Sequence, residues 1–221
     1  ASYSFNKGSV IYFTNERINI TWGDYSQVLT EMLLIKAAVE KEDKSNPYTY
    51  FHLLSGVDLP IKSNDYIHGF FEENNGKEFI HFTSKDTEVA ESRIRYYHFF
   101  RKKRNNINKI IAQVLLRVQM ILKINRLKPL GIKAQKGCNW FSITGDFAHY
   151  IYDNLEKYEN VFKWSYCGDE VFVQTLLVNS PFKDNLFMPV SNNNHFACVR
   201  LIDWHRGNPY VWRAEDYDEI M

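Results

Sequence analysis

The sequence predicts an α/β fold: one domain over residues 1–221, with a mixed central sheet flanked by helices. Three observations carry that expectation. Strand-like runs alternate with segments of helical periodicity from residue 9 onward. Asn46-Pro47, Ser55-Gly56, Pro60 and Asn75-Gly76 fall between those segments. A chain of 221 residues, 45% hydrophobic and 16% aromatic, is long enough to bury one sizeable core.

The elements follow in order. SVIYFT at 9–14 is a short β-branched and aromatic run, expected as a buried strand. Residues 25–41 set Val28, Leu29, Met32, Leu33 and Lys36 at helical spacing. Asn46-Pro47 ends that helix, because a residue before proline is pushed towards extended backbone. YTYFHLL at 48–54 then reads as a second buried strand, stopped by Ser55-Gly56, which completes a β-α-β unit. After Pro60, Ser63 stands where it can cap a short helix carrying Ile67, Phe70 and Phe71. Asn75-Gly76 closes it, and KEFIHF at 77–82 returns as a strand. A mixed-charge stretch at 83–95, the aromatic patch YYHFF, the basic run RKKR at 101–104 and an amphipathic helix around 110–124 form an insertion. The last third predicts a helix around 147–158, another after Gly168, an asparagine-rich loop at 192–194 and a strand at 197–202.

Composition narrows the function. Lys plus Arg number 27 against 26 Asp plus Glu, so a formal charge of +1 supplies no general field for nucleic acid, and any anion site is local. RKKR reads as a solvated face. Cys138, Cys167 and Cys198 are odd in number and far apart, which suits reduced thiols and an intracellular protein. No CxxC pair and no HExxH spacing is present, so no metal is expected. The first thirteen residues lack the basic start and apolar block of a signal peptide, and no apolar run reaches the roughly 20 residues that cross a bilayer.

Three segments could carry chemistry, each with two readings open. LLSGVDLP at 53–60 ends a strand, where open α/β sheets bind ligands; Asp58 either contacts a nucleotide or caps its own turn. No second carboxylate lies two residues from it, so metal-independent chemistry is expected. In GDEVFVQTLL from residue 168, Asp169 and Glu170 are either ordinary helix-start acids or a carboxylate ready to take a proton from a sugar hydroxyl. CVRLIDWHRGNPYVWRAEDY combines Arg200, Arg206 and Arg213 with Trp204 and Trp212. That is either a pyrophosphate and sugar site, or a surface turn whose arginines pair with Asp203, Glu215 and Asp216.

Together, ERINITWGDYSQVLTEMLLIKAA, YTYFHLLSGVDLPIKSNDYIHGFFEENNGKEFIHF, KGCNWFSITGDFAHYIYDN, CGDEVFVQTLL and VRLIDWHRGNP cover nearly the whole chain. In order and spacing they resemble the core-2/I-branching β-1,6-N-acetylglucosaminyltransferases and their bacterial relatives, with the xylosyltransferases of proteoglycan synthesis as cousins. The most specific pieces are LLSGVDLPIKS and W-G-x-Y-S at 22–26. The resemblance implies a GT-A-like fold and inverting transfer of a sugar, GlcNAc or xylose, from a UDP-sugar co-substrate to an oligosaccharide or polysaccharide. No Asp-x-Asp metal site is implied.

Matched by motif, the resemblance implies that Glu170 is the catalytic base and that Arg206 holds the diphosphate, with Arg200, Arg213 and Asp58 as further candidates on the donor side. Trp204, Trp140, Asp169 and the 91–95 region with Arg93 are the candidates it implies for acceptor contacts. Cysteine usage favours the cytoplasm, with peripheral association at the inner membrane face expected of a bacterial protein, while the resemblance to animal enzymes implies the Golgi lumen for a eukaryotic one. Against the family pattern the chain starts after one strand and helix and stops before a lysine-bearing helix. A rival expectation follows, that it is a non-catalytic glycan- or nucleotide-binding module.

Overall fold

The computed structural model describes residues 10–83, 87–102 and 105–220. Its regular elements are α1 (Ser26–Lys41), β1 (Tyr50–His52), α2 (Asn64–Glu73), β2 (Phe79–Ile80), α3 (Thr87–Arg95), α4 (Asn106–Ile121), β3 (Phe141–Thr144), α5 (Gly145–Asp153), α6 (Leu155–Phe162), α7 (Phe172–Val178) and α8 (Tyr217–Ile220). Short 3₁₀ turns join several of them, including Gly168–Glu170 and His195–Cys198.

Local chemistry explains where the helices start and stop. Asp24 accepts the Ser26 N–H at 3.0 Å at the head of α1, and Val28, Met32 and Ile35 recur on its buried face. Ser63 caps α2 by accepting the Tyr66 N–H, and Gly76, at φ +81°, turns the chain beyond its end. Thr144 does the same for α5, its Oγ1 accepting the Phe147 N–H at 3.2 Å. Asn105 caps α4, its side chain accepting the Asn108 N–H at 2.7 Å.

The sheet has three strands in the order β1-β3-β2. Tyr50 pairs with Thr144 and His52 with Ser142 on one side of β3, Phe79 with Ser142 and Ile80 with Phe141 on the other. Both ladders are antiparallel rather than mixed, so β1 and β2 run the same way and are joined through β3, a strand from much later in the chain, and the β-α-β unit expected over 9–14, 25–41 and 48–54 does not form among the described residues. All four residues of β3 are buried. Its Ile143 joins Val28, Met32, Phe147, Ile151, Phe172 and Leu176 in one core between α1, α5 and α7. Each such side chain, fully buried, contributes about 1.5–3 kcal/mol.

Four expectations are corrected. No strand forms over 10–14, where Val10, Tyr12 and Phe13 are exposed and no ladder partner lies alongside among the described residues; Ser9 is outside them. The strand expected at 48–54 shrinks to Tyr50–His52 and is only partly buried. The single helix at 147–158 is two, divided at Asn154, whose Nδ2 donates back to the Tyr150 carbonyl at 2.8 Å. The strand at 197–202 is replaced by the His195–Cys198 turn and a left-handed Val199 at φ 49°. There the Arg200 guanidinium takes carbonyls that a ladder would use, those of Cys198 and Leu53 at 3.0 Å and of Phe141 at 3.3 Å. Part of the 83–95 stretch and of RKKR, residues 84–86 and 103–104, falls outside the described residues. Among the described residues no helix is long and apolar enough to cross a membrane.

Candidate active site

The 3₁₀ turn Gly168–Glu170 is set into the core just ahead of α7, and the close approach of its neighbours fixes it there. A Cβ on Gly168 would meet Ser165 Oγ at 2.3 Å and Val28 Cγ2 at 2.8 Å, so only glycine fits. Cys167, immediately before, takes the left-handed conformation at φ 47°, and its N–H donates to the Gly23 carbonyl at 3.3 Å. The W-G-x-Y-S segment thereby becomes the floor of the turn. Gln27, one helical turn beyond Gly23, accepts the Gly23 N–H and donates through Nε2 to Asp169 Oδ2 at 3.0 Å.

The two acids of the turn part company. Asp169 points inwards and is buried, with Oδ1 lacking a hydrogen-bond partner among the described residues. Burial, then the charge of Glu170, raises its carboxyl above the ordinary range. Beneath it Glu31 of α1 is fully buried, and burial followed by the charge of Asp169 holds it well above the usual carboxylate value. Glu170 points outwards, its side chain 38% exposed, and its Oε2 accepts from Arg93 Nη1 at 2.7 Å. Lys136 Nζ lies 3.6 Å from the same oxygen. Arg93 Nη1 also donates to the Cys167 carbonyl at 3.2 Å, which ties α3 to the turn.

Lys136 was not singled out from the sequence, although KGCNWFSIT was. The signal lay in Gly137: a Cβ there would come within 1.7 Å of the His81 carbonyl oxygen, and its N–H donates to the Glu170 carbonyl at 2.9 Å. That close passage fixes the lysine beside Glu170. Two histidines were also missed. His81 Nδ1 accepts from the Cys138 N–H at 3.1 Å, its ring lies 4.4 Å from that of His195, and His195 lies 5.7 Å from Trp204. Burial first, then the charges of His195 and Lys136, bring His81 down to about 4, so it is neutral at pH 7. Trp204, His195 and His81 thus form a row of rings whose far end feels the charge of Lys136, the cation beside Glu170.

On the other wall, Asp58 does two things. Its Oδ2 accepts the Ser55 N–H at 2.6 Å, the turn-capping reading, and also the Trp140 indole N–H at 3.1 Å. Arg200 feels the charge of Asp58 and donates to the carbonyls of Leu53, of Phe141 in β3 and of its own turn and to Ser142 Oγ, with burial lowering its value. Its guanidinium is committed to the backbone. Arg206 is exposed and caged: Nε donates to Asp203, Nη1 and Nη2 donate to Glu219 at 3.0 and 2.9 Å, and Asp216 Oδ1 is 3.5 Å away. Its flat face lies 4.4 Å from the Tyr210 ring and 4.9 Å from that of Trp212. Arg213 is exposed, with its backbone N–H on Asp216 Oδ2 at 2.8 Å.

Of the residues expected from sequence, the structure thus joins Glu170 with Arg93 and Asp169, and Asp58 with Trp140. Arg206 and Arg213 share a separate C-terminal cluster. Among the described residues no three His, Cys, Asp or Glu side chains are grouped so as to hold a metal ion.

Comparison with known proteins meets this geometry. The sequence model of the family described as Core-2/I-Branching enzyme matches residues 5–219. The chain is 25% identical over 220 residues to xylosyltransferase 1 of Rattus norvegicus, covering 94% of this chain and 25% of the relative. With the Homo sapiens xylosyltransferase 1 it is 25% identical over 225 residues, covering 96% and 22%. Xylosyltransferase 2 of Rattus norvegicus is 21% identical over 213 residues, covering 91% and 23%. The chain therefore spans about a quarter of the length of these relatives.

Proposed function

The chain belongs to the Core-2/I-Branching enzyme family, and from that premise we propose that it is a glycosyltransferase with a GT-A-like fold, moving a sugar from a UDP-sugar to a glycan hydroxyl by inverting displacement. The observation that carries this reading is the outward-facing carboxylate of Glu170, held on Oε2 by Arg93 at 2.7 Å in a turn that the core immobilises. Both cationic contacts fall on Oε2, so Oε1 is the oxygen we assign as base. It takes the acceptor's hydroxyl proton as that oxygen bonds to the anomeric carbon. The bond from the anomeric carbon to the β-phosphate oxygen breaks on the opposite face, and UDP leaves with the electron pair.

The other residues take roles consistent with their surroundings. Arg93 is a positioning residue that aims the carboxylate, because a charge-assisted bond fixes direction as well as distance. Asp169, buried, holds the turn to Gln27 rather than reaching the acceptor. Trp204 and Trp140 offer flat faces for sugar rings, Trp140 kept in place by Asp58. Arg206, with Arg213 beside it, is assigned to the diphosphate: its exposed guanidinium exchanges carboxylate partners for phosphate oxygens, supplying the charge stabilisation that a cation would otherwise provide. Arg200 braces the donor-side wall. GlcNAc and xylose are the donors the family favours, and metal independence is part of the proposal.

The test is a panel of UDP-sugars assayed for hydrolysis and transfer, with and without EDTA, alongside Glu170→Gln. Turnover of one donor in EDTA, reduced at least ~100-fold in the variant while UDP affinity is retained, is the expected result. UDP or glycan binding without turnover would move the chain to a non-catalytic module. Loss of turnover in EDTA would remove the metal-independent step.

A further inference from the structure

α4 is amphipathic with its burial reversed. Ile107, Ile110, Ile111, Val114, Val118 and Ile121 fall within an arc of about 100° on the helix, and all are exposed, from 40% at Ile111 to 78% at Ile121. The stripe runs roughly 21 Å along the axis at 1.5 Å per residue. The rotation of the helix is fixed by its opposite side. Gln119 is its one buried residue, accepting the Tyr97 N–H at 2.8 Å and donating to the Tyr97 carbonyl at 3.0 Å. Turning the stripe inwards would break that pair and carry Arg117 towards the body. Isolated exposed apolar residues are ordinary, but six on one face of one helix form a contiguous patch.

The charge around the stripe is one-sided. Residues 92–145 contain 13 Lys and Arg and no Asp or Glu, which leaves 14 cations against 26 acids in the rest of the chain. Lys102 and Lys109 are exposed near the start of α4, Arg117 beside the stripe, and Lys123 and Lys128 beyond its end. A second copy laid against the same face would set these cations against their equals, which opposes self-association. At 16 residues α4 is also short of the roughly 20 needed to span a bilayer.

We infer that α4 is a docking element for an anionic membrane surface, its apolar stripe entering the boundary between headgroups and acyl chains while the flanking lysines and arginines meet lipid phosphates. Apolar area and cations act together in this mode, so binding requires both and weakens with salt. The inference stands apart from the transfer reaction. It adds a consequence for geometry, since Gln119 and Tyr97 link the docked helix to α3, which carries Arg93.

Flotation with phosphatidylcholine vesicles, with and without about 30% phosphatidylglycerol, tests it. The protein is expected to float with the anionic vesicles only, and at least tenfold less in about 0.5 M salt. Ile110→Asp with Ile121→Asp is expected to cut binding at least tenfold. Lys109→Glu with Arg117→Glu, which leaves the stripe intact, is expected to cut it similarly. Both variants should keep the parent's circular dichroism and UDP affinity. Unchanged flotation in both well-folded variants, or flotation with neither vesicle, would overturn the inference. Strong protection of residues 106–121 from hydrogen exchange without vesicles would also overturn it, assigning the stripe to a second copy or another part of the protein.

Discussion

Arg93 and Arg206 make the same bond, a guanidinium to a carboxylate, in opposite settings. Arg93 is 16% exposed and shares one carboxylate, Glu170, with Lys136, so two cations converge on one acid. Arg206 is 37% exposed and is met by Asp203, Asp216 and Glu219, so three acids converge on one cation. Glu170 sits on the turn that Gly168 permits, Lys136 stands beside Gly137, and Arg93 reaches them from α3, with α1 and α7 behind the turn. The second belongs to a loop whose ring contacts are with its own near neighbours, Tyr210 and Trp212. A rigid mount suits a group that must be aimed at a reacting atom, and an exposed cage suits one that exchanges partners as a ligand arrives and leaves.

The largest expected effect strikes the mount. Gly137→Ala would drive a Cβ into the His81 carbonyl, backbone that cannot swing aside, and should cost about 3 kcal/mol or more, seen as a lowered urea midpoint. Next, Arg93→Ala should lower turnover by roughly 100-fold with little change in UDP affinity; equal losses in both would erase the distinction between aiming and binding.

Glu78 sharpens the contrast through pH. It is fully buried, accepting from Thr144 N at 2.9 Å and Thr144 Oγ1 at 2.6 Å, and burial pushes it up to about 7 although both bonds pull it down. Because the folded value exceeds the ordinary 4.5, the folded chain holds the proton more tightly, and stability falls as pH rises from 4.5 to about 7. Glu78→Gln should flatten that decline, by on the order of 2–3 kcal/mol, read from denaturation at each end of the range. Smallest is Arg206→Ala, expected to leave the melting temperature within about 2 °C of the parent. If the cage exchanges its acids for phosphate, UDP binding should nonetheless weaken about tenfold.

These contrasts follow how each region was written in the sequence. Local patterns were legible: the periodicity of α1, the Ser63 cap, the stop at Gly76 and the acidic turn at 169–170 all lie within a few residues of their cause. The sheet order was not, because β3 enters between β1 and β2 from about 90 residues away, and periodicity carries no information about pairing partners. SVIYFT has strand propensity, yet among the described residues no strand lies beside 10–14, and propensity without a neighbour forms no ladder. The amphipathic pattern of α4 was visible, but nothing in it told which face the body would take; Gln119 decided that. Lys136 went unnoticed because its importance comes from the neighbouring glycine's contact with His81, distant in sequence.

The central place of β3 also sets an order of events during synthesis. Among the described residues Tyr50–His52 and Phe79–Ile80 have no partner strand until Phe141–Thr144 emerges, so β1 waits unpaired while some 90 further residues are made. Closing so long a loop is entropically slow, and the sheet should form late. Lys136 and Gly137 arrive just ahead of β3 and Glu170 after it, so the nascent chain cannot assemble the carboxylate with its two cations before the sheet's central strand is available.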